Sequence, residues 1–125
     1  MDARPNAWMH QAQQDLALAQ LARDNGFLAA ACFHASQAAE KALKSALLEL
    51  GLEPPFTHVL NTLVLQLQDA GINTENLERL ALRQLSRMAV QSRYSMDATS
   101  ASELFDQEDA DQALTTATDV ITIVQ

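Results

Sequence analysis

Residues 27–50 read FLAAACFHASQAAEKALKSALLEL and are bracketed by Gly26 and Gly51. Leu28, Cys32, Ala35, Ala39, Leu43, Ala46 and Leu50 recur at three- and four-residue spacing, the period at which side chains stack on one helix face. Alanine fills much of the remainder, at Ala29-Ala30-Ala31, Ala38 and Ala42. The spacing predicts a helix from about Phe27 to Leu50 that is apolar well past a single stripe. Such a helix is central to a bundle or shared with a second chain, because one face suffices for a peripheral helix. The stretch therefore predicts an all-α fold with this helix at its heart, and it argues for a homodimer.

Outward from this helix, the three glycines of the chain, Gly26, Gly51 and Gly71, each fall where a helical pattern stops. Glycine just past a helix end accepts a left-handed backbone at no steric cost. A first helix is expected from about Asn6 to Asn25, burying Trp8, Ala12, Leu16 and Ala19. Pro54-Pro55 separates the second helix from a third, capped by Thr57 and burying Leu60, Leu63, Val64 and Leu67. Thr74 is the expected N-cap of a fourth helix, from about Glu75 to Gln91, with Leu77, Leu80, Ala81, Leu85 and Met88 inside. Residues 92–107 read as a long loop, in which Ser100 and Glu103 have capping-box spacing for a short helical turn. A last helix, from about Glu108 to Val124, places Ala110, Ala113, Leu114, Ala117, Ile121 and Val124 on one face, with an acidic start that suits the helix dipole. The expectation is an antiparallel up-and-down bundle of about five helices, with residues 1–125 as a single domain.

Composition agrees. Of 125 residues, 48% are hydrophobic and only 19% charged, the balance of a globular chain. Valine and isoleucine together number eight, too few for a sheet. The formal net charge of −8 argues against broad nucleic-acid or membrane affinity, and no DNA binding is expected. The charge is uneven, however. Arg79, Arg83, Arg87 and Arg93 are half of the eight basic residues, no basic residue follows Arg93, and seven acidic ones do. No apolar run approaches membrane-spanning length and the first residues lack a signal layout, so the cytoplasm is the expected location.

The chemistry-bearing residues are few. Gln37, Glu40, Lys41 and Lys44 interrupt the second helix as one polar strip. Spacing alone reads it as a solvated face with contacts worth about 0.2–0.5 kcal/mol; a sharper reading pairs Asp15 of the first helix with Lys41. Charge on an otherwise apolar helix needs a partner, so Asp15, Gln37, Glu40 and Lys41 are expected to be held by inter-helix contacts. Cys32, the single cysteine, reads as a packed structural thiol, with no disulfide framework. His34 and His58 lack partners at metal-ligand spacing and read as buried, hydrogen-bonded imidazoles; no metal and no cofactor are expected. Arg79, Arg83 and Arg87 succeed one another at i+4, as a solvated ridge that Glu75 partly neutralises. Beyond it Arg93-Tyr94 sets a guanidinium beside a ring, a pair able to stack on a base, grip phosphate or anchor the loop.

The block Gln37-Ala38-Ala39-Glu40-Lys41-Ala42-Leu43-Lys44, preceded by Phe33-His34, resembles the signature helix of the HEPN domains (higher eukaryotes and prokaryotes nucleotide-binding). In the same order, Trp8 with Asp15-Leu16 resembles the family's first helix and His58 with Leu60 and Leu63 its third. Arg93-Tyr94 resembles its Arg-Tyr step, and Asp109-Ala110 the start of its last helix. The resemblance implies a small helical bundle, usually a homodimer, often encoded beside a minimal nucleotidyltransferase in a toxin–antitoxin type of pair. Some members are metal-independent ribonucleases with an Arg-x4-6-His motif near the end of the fourth helix. This sequence departs there: His58 is its last histidine, and Ser95 replaces the proline common after Arg-Tyr. Arg4 and His10 share the spacing, but only at the extreme N-terminus across Pro5.

The functional expectation is a dimeric binding module rather than an enzyme. A nucleotide, an RNA or a nucleotidyltransferase is the expected partner, with ligand contacts at Arg87, Arg93, Tyr94 and His58 and an interaction strip of Asp15, Gln37, Glu40, Lys41 and Lys44. The alternative is a metal-independent endoribonuclease. Without a histidine near Arg93 in sequence, the fourth-helix region has a cation for the transition state but no group of its own that takes a proton near neutral pH, so a base would have to be His34 or His58, brought in by the fold or across a dimer.

Overall fold

The computed structural model describes residues 2–93 and 100–125. These form six α-helices and one 3-10 turn, with no strand among the described residues. The helices are α1 (Arg4–Asp24), α2 (Leu28–Glu49), α3 (Leu60–Asp69), α4 (Glu75–Glu78), α5 (Leu82–Gln91) and α6 (Gln107–Val124); the turn spans Ala101–Glu103 before α6.

Helix α2 is the axis of the bundle. Helices α1 and α6 cover most of it, and α3 and α5 close the rest. Ala31, Cys32, Ala35, Ala38, Ala39, Ala42 and Leu43 have no solvent exposure. Small side chains let neighbouring backbones approach on several sides at once, which is why so broad an apolar surface is satisfied inside one protomer. The alanine-rich surface of α2 thus finds its cover in this chain's own helices, and the sequence argument for a second copy built on that surface no longer stands by itself.

The turn between α1 and α2 shows why the chain reverses where it does. Gly26 sits at φ +83, and beyond it Phe27 N–H donates to the Ala22 carbonyl at 2.8 Å while Gly26 N–H donates to Arg23 at 3.1 Å. This is the Schellman closure, which needs a left-handed residue and satisfies the last carbonyls of α1. Gly51 closes α2 the same way, with Leu52 N–H reaching the Leu47 carbonyl at 3.0 Å.

Several local expectations are corrected. Helix α1 begins at Arg4, with Pro5 accommodated in the first turn, where a missing N–H costs nothing. The expected fourth helix is two helices, α4 and α5, broken at residues 79–81. In one straight helix Leu82 would point about 140° away from Leu77; the break lets both turn inward, at 2% exposure each. Thr57, Thr74 and Ser100 cap no helix by side chain. Leu60, at the start of α3, donates its N–H to Ser86 Oγ of α5 at 3.1 Å instead. The capping box belongs to Asp106 and Asp109 at the start of α6: Asp109 N–H donates to Asp106 Oδ1 at 2.8 Å and Asp106 N–H to Asp109 Oδ2 at 3.0 Å. No described helix is long and apolar enough to cross a membrane.

Candidate functional site

The polar strip of α2 is not a solvated face. Lys41 Nζ donates to Asp15 Oδ2 of α1 at 2.6 Å, and Gln11 Nε2 donates to Asp15 Oδ1 at 3.3 Å. Next to Lys41 in the chain, Glu40 is buried with its two oxygens divided between two partners: Lys44 Nζ at 3.1 Å and His58 Nδ1 at 2.7 Å. The Lys44 ammonium also lies 5.8 Å from the Trp8 ring centroid. Ser45 Oγ, buried beside them, donates to the Pro5 carbonyl at 2.6 Å and ties the first turn of α1 to α2. The cluster joins α1, α2 and the approach to α3 through charge-assisted contacts, each buried charge facing an opposite one. Within it the His58 side chain is 64% exposed, contrary to the expectation of a buried ring. Gln37 is half-buried on the same helix.

A second constellation lies where the start of α2 meets the end of α5. Arg93 Nε donates to the Ala89 carbonyl at 3.0 Å, which aims the guanidinium back across α2. Its centre stands 5.1 Å from the centroid of the Phe33 ring, and the His34 ring meets Phe33 edge-on with centroids 5.1 Å apart. Phe33, His34, Ser92, Arg93 and Ser102 line one cavity of about 400 Å³, with Phe27 at its mouth. The cavity combines a permanent cation, two flat rings, an imidazole and two hydroxyls. That is chemistry for an anion attached to a planar group: a guanidinium grips phosphate, and an aromatic face accepts a base.

The four candidate ligand residues are not gathered in one place. Arg93 lines the cavity just described, Arg87 lines a different groove between α3 and α5, and His58 lines neither, since it faces Glu40. Tyr94 lies outside the described residues. Sequence reading passed over Phe33 as chemistry and left His34 only as one of two histidines, with His58, that the fold could bring to Arg93. Their one local signal is an aromatic pair on a helix otherwise filled with alanine, and nothing local indicates that Arg93, some sixty positions on, closes over them. Cys32, next to Phe33, is buried and its thiol is pushed up to about 12, first by burial and then by the carboxylates of Asp109 and Asp106. It is a packing group rather than a nucleophile at neutral pH. Among the described residues no three His, Cys, Asp or Glu side chains are placed to hold a metal ion.

Comparisons with known proteins agree on one family. Residues 5–125 match the family model described as HEPN domain. Among solved structures, TT1696 from Thermus thermophilus superposes with a TM-score of 0.89 at 30% identity, over 98% of this chain and 97% of that one. ST0689, described as an archaeal HEPN homologue, superposes with a TM-score of 0.73 at 24% identity, over 99% of this chain and 96% of that one. No curated protein sequence matches the chain.

Proposed function

Because the chain belongs to the HEPN domain family across residues 5–125, we propose that it is a binding module whose ligand is a nucleotide or an RNA segment, held at the Phe33–Arg93 cavity. One observation carries this reading: the Arg93 guanidinium stands over the Phe33 face with His34 beside it, around a cavity of about 400 Å³. Phosphate pairs with Arg93, the base lies against the exposed part of Phe33 or Phe27, and Ser92 and Ser102 offer hydroxyls to a sugar or phosphate oxygen. The module works as a homodimer, the habit of this family, and a minimal nucleotidyltransferase is its protein partner in a toxin–antitoxin type of pair. The test is calorimetric titration with adenine and guanine nucleotides and with a single-stranded RNA oligonucleotide. Arg93→Ala and Phe33→Leu are each expected to weaken binding roughly tenfold or more, the worth of one stacked base or one charged contact. Binding that both variants leave unchanged would overturn the site.

A second reading, a metal-independent ribonuclease, gains one specific observation. The fold brings His34 to the rim of the cavity that Arg93 lines, so a proton-accepting group adjoins the cation although none follows it in sequence. Incubation of the purified protein with structured and single-stranded RNA separates the readings. The binding reading expects intact RNA. Cleavage lost in both His34→Ala and Arg93→Ala establishes the enzyme instead.

A further inference from the structure

On a chain with sixteen acidic and eight basic residues, nearly every described cation is matched. Arg4 meets Asp2 and Glu53, Arg23 meets Asp24 and Asp111, Lys41 meets Asp15, Lys44 meets Glu40, and Arg79 meets Glu75. Arg93 is engaged as well. Among the described residues the exceptions are Arg83 and Arg87, both exposed, and both line the same groove of about 650 Å³ between α3 and α5. The break between α4 and α5 opens this groove, and its floor is apolar: Val64 and Leu65 from α3, Leu80 and Ala81 from the break. Leu65 is 54% exposed there. The one carboxylate in the lining, Glu78, pairs with neither arginine.

We propose that this groove is a docking site for an acidic amphipathic helix of a protein partner. Arg83 and Arg87 are one turn apart on α5 and present two guanidiniums at the spacing of two carboxylates at i and i+4 on an opposing helix. A leucine stripe beside those carboxylates covers Leu65 and Leu80, the apolar contact that helix-in-groove recognition relies on. A nucleic acid fits the groove poorly. Its lining holds no aromatic ring on which a base could stack, and although the arginines and the amides of Asn61, Gln68 and Gln84 could meet phosphates, the exposed Leu65 and the neighbouring Leu80 would be left without an apolar partner. The overall negative charge does not forbid an acidic partner, because charges beyond about 8 Å are largely screened at physiological ionic strength. The site is separate from the Phe33–Arg93 cavity, and the proposal holds or fails independently of what that cavity binds.

The test uses the whole protein and a fluorescein-labelled, stapled helical peptide of about five turns, with glutamates at i and i+4 beside a leucine stripe. Three further probes accompany it: the same residues scrambled to break the stripe, a single-stranded RNA oligonucleotide, and the protein's own self-association followed by light scattering. Saturable anisotropy that weakens with salt and falls roughly tenfold or more in Arg83→Glu/Arg87→Glu supports the proposal, two ion pairs being lost and reversed. A parallel loss in Leu65→Ser establishes the apolar contribution. All three side chains are exposed, and melting curves confirm that the variants fold. Absent peptide binding overturns the proposal, as does equal binding of the scrambled peptide or indifference to the arginines. RNA binding that depends on Arg83 and Arg87 assigns the groove to nucleic acid, and self-association that depends on them assigns it to a second copy; either outcome also overturns it.

Discussion

Glu40 is the residue on which the inside of this protein is most exposed to a single change. Its side chain is 7% accessible, Lys44 beside it is 10% accessible, and each neutralises the other. Glu40→Gln leaves a buried ammonium facing an amide, and the His58 contact loses its charge as well. Stability is expected to drop by about 2–4 kcal/mol, read as a melting point lower by roughly ten degrees in a chain of this size. The double change Glu40→Gln/Lys44→Met removes the orphaned charge and is expected to recover most of the loss; a double variant as unstable as the single one would show that packing, not charge, sets the cost. Cys32 presents the opposite case. Its thiol is buried and pushed up to about 12, so thiolate is scarce at pH 8 and access is blocked. Ellman's reagent is expected to modify the folded protein far more slowly than the denatured one, and equal rates would mean that the α2–α6 side opens readily.

Among the elements, α6 and the α4–α5 pair show how termini and breaks are fixed. Helix α6 begins at a reciprocal pair of aspartates, with Asp106 accepting from Asp109 N–H and Asp109 accepting in return. The shorter aspartate at the third helical position closes the box as glutamate or glutamine commonly does, and a reading attentive to Ser-x-x-Glu selects residues 100 and 103 instead. Asp106→Ala is expected to cost about 1 kcal/mol, measured as a shift of the denaturation midpoint with an unchanged slope. A change within error would mean that packing of Ala110, Ala113 and Leu114 alone sets where α6 starts. The break at residues 79–81 has a different origin. Leu77 and Leu82 both reach the core, and no straight helix presents both to one side, so packing overrides continuity and opens the groove that Arg83 and Arg87 line.

For the molecule as a whole, the position of α2 decides how its alanines are read. A helix wrapped by α1, α3, α5 and α6 needs no second chain to cover it. The homodimer proposed for this chain would therefore have to draw on surfaces other than the alanine-rich ones. Exposed apolar residues are available, among them Leu18 and Leu21 on α1 and Phe56 and Val59 ahead of α3. Light scattering at micromolar concentration is expected to give twice the chain mass of 13.7 kDa; a mass equal to one chain would remove the dimer. If the dimer forms, Leu21→Glu and Val59→Glu in turn locate the face it uses, since a buried carboxylate without a partner opposes association.

Class and order of elements were legible in the residues because they depend on local patterns. Three glycines marked helix ends, a 3.6-residue period marked buried faces, and a block on α2 with five accompanying groups of residues carried the family resemblance. The pairing of Asp15 with Lys41 was visible as an option, since charge on an apolar helix demands a counter-charge. What only the tertiary structure decided concerns groups far apart in the chain. It set His58 against Glu40, whose i+4 contact with Lys44 the spacing already offered, and it brought Arg93 over Phe33 and beside His34. It also separated Arg87 from Arg93, two residues that sequence proximity had joined. The physical reason is common to all three. Periodicity fixes which side of a helix is apolar, but which polar groups meet depends on how helices rotate and break to bury side chains such as Leu77 and Leu82, and that is settled by packing across the whole core.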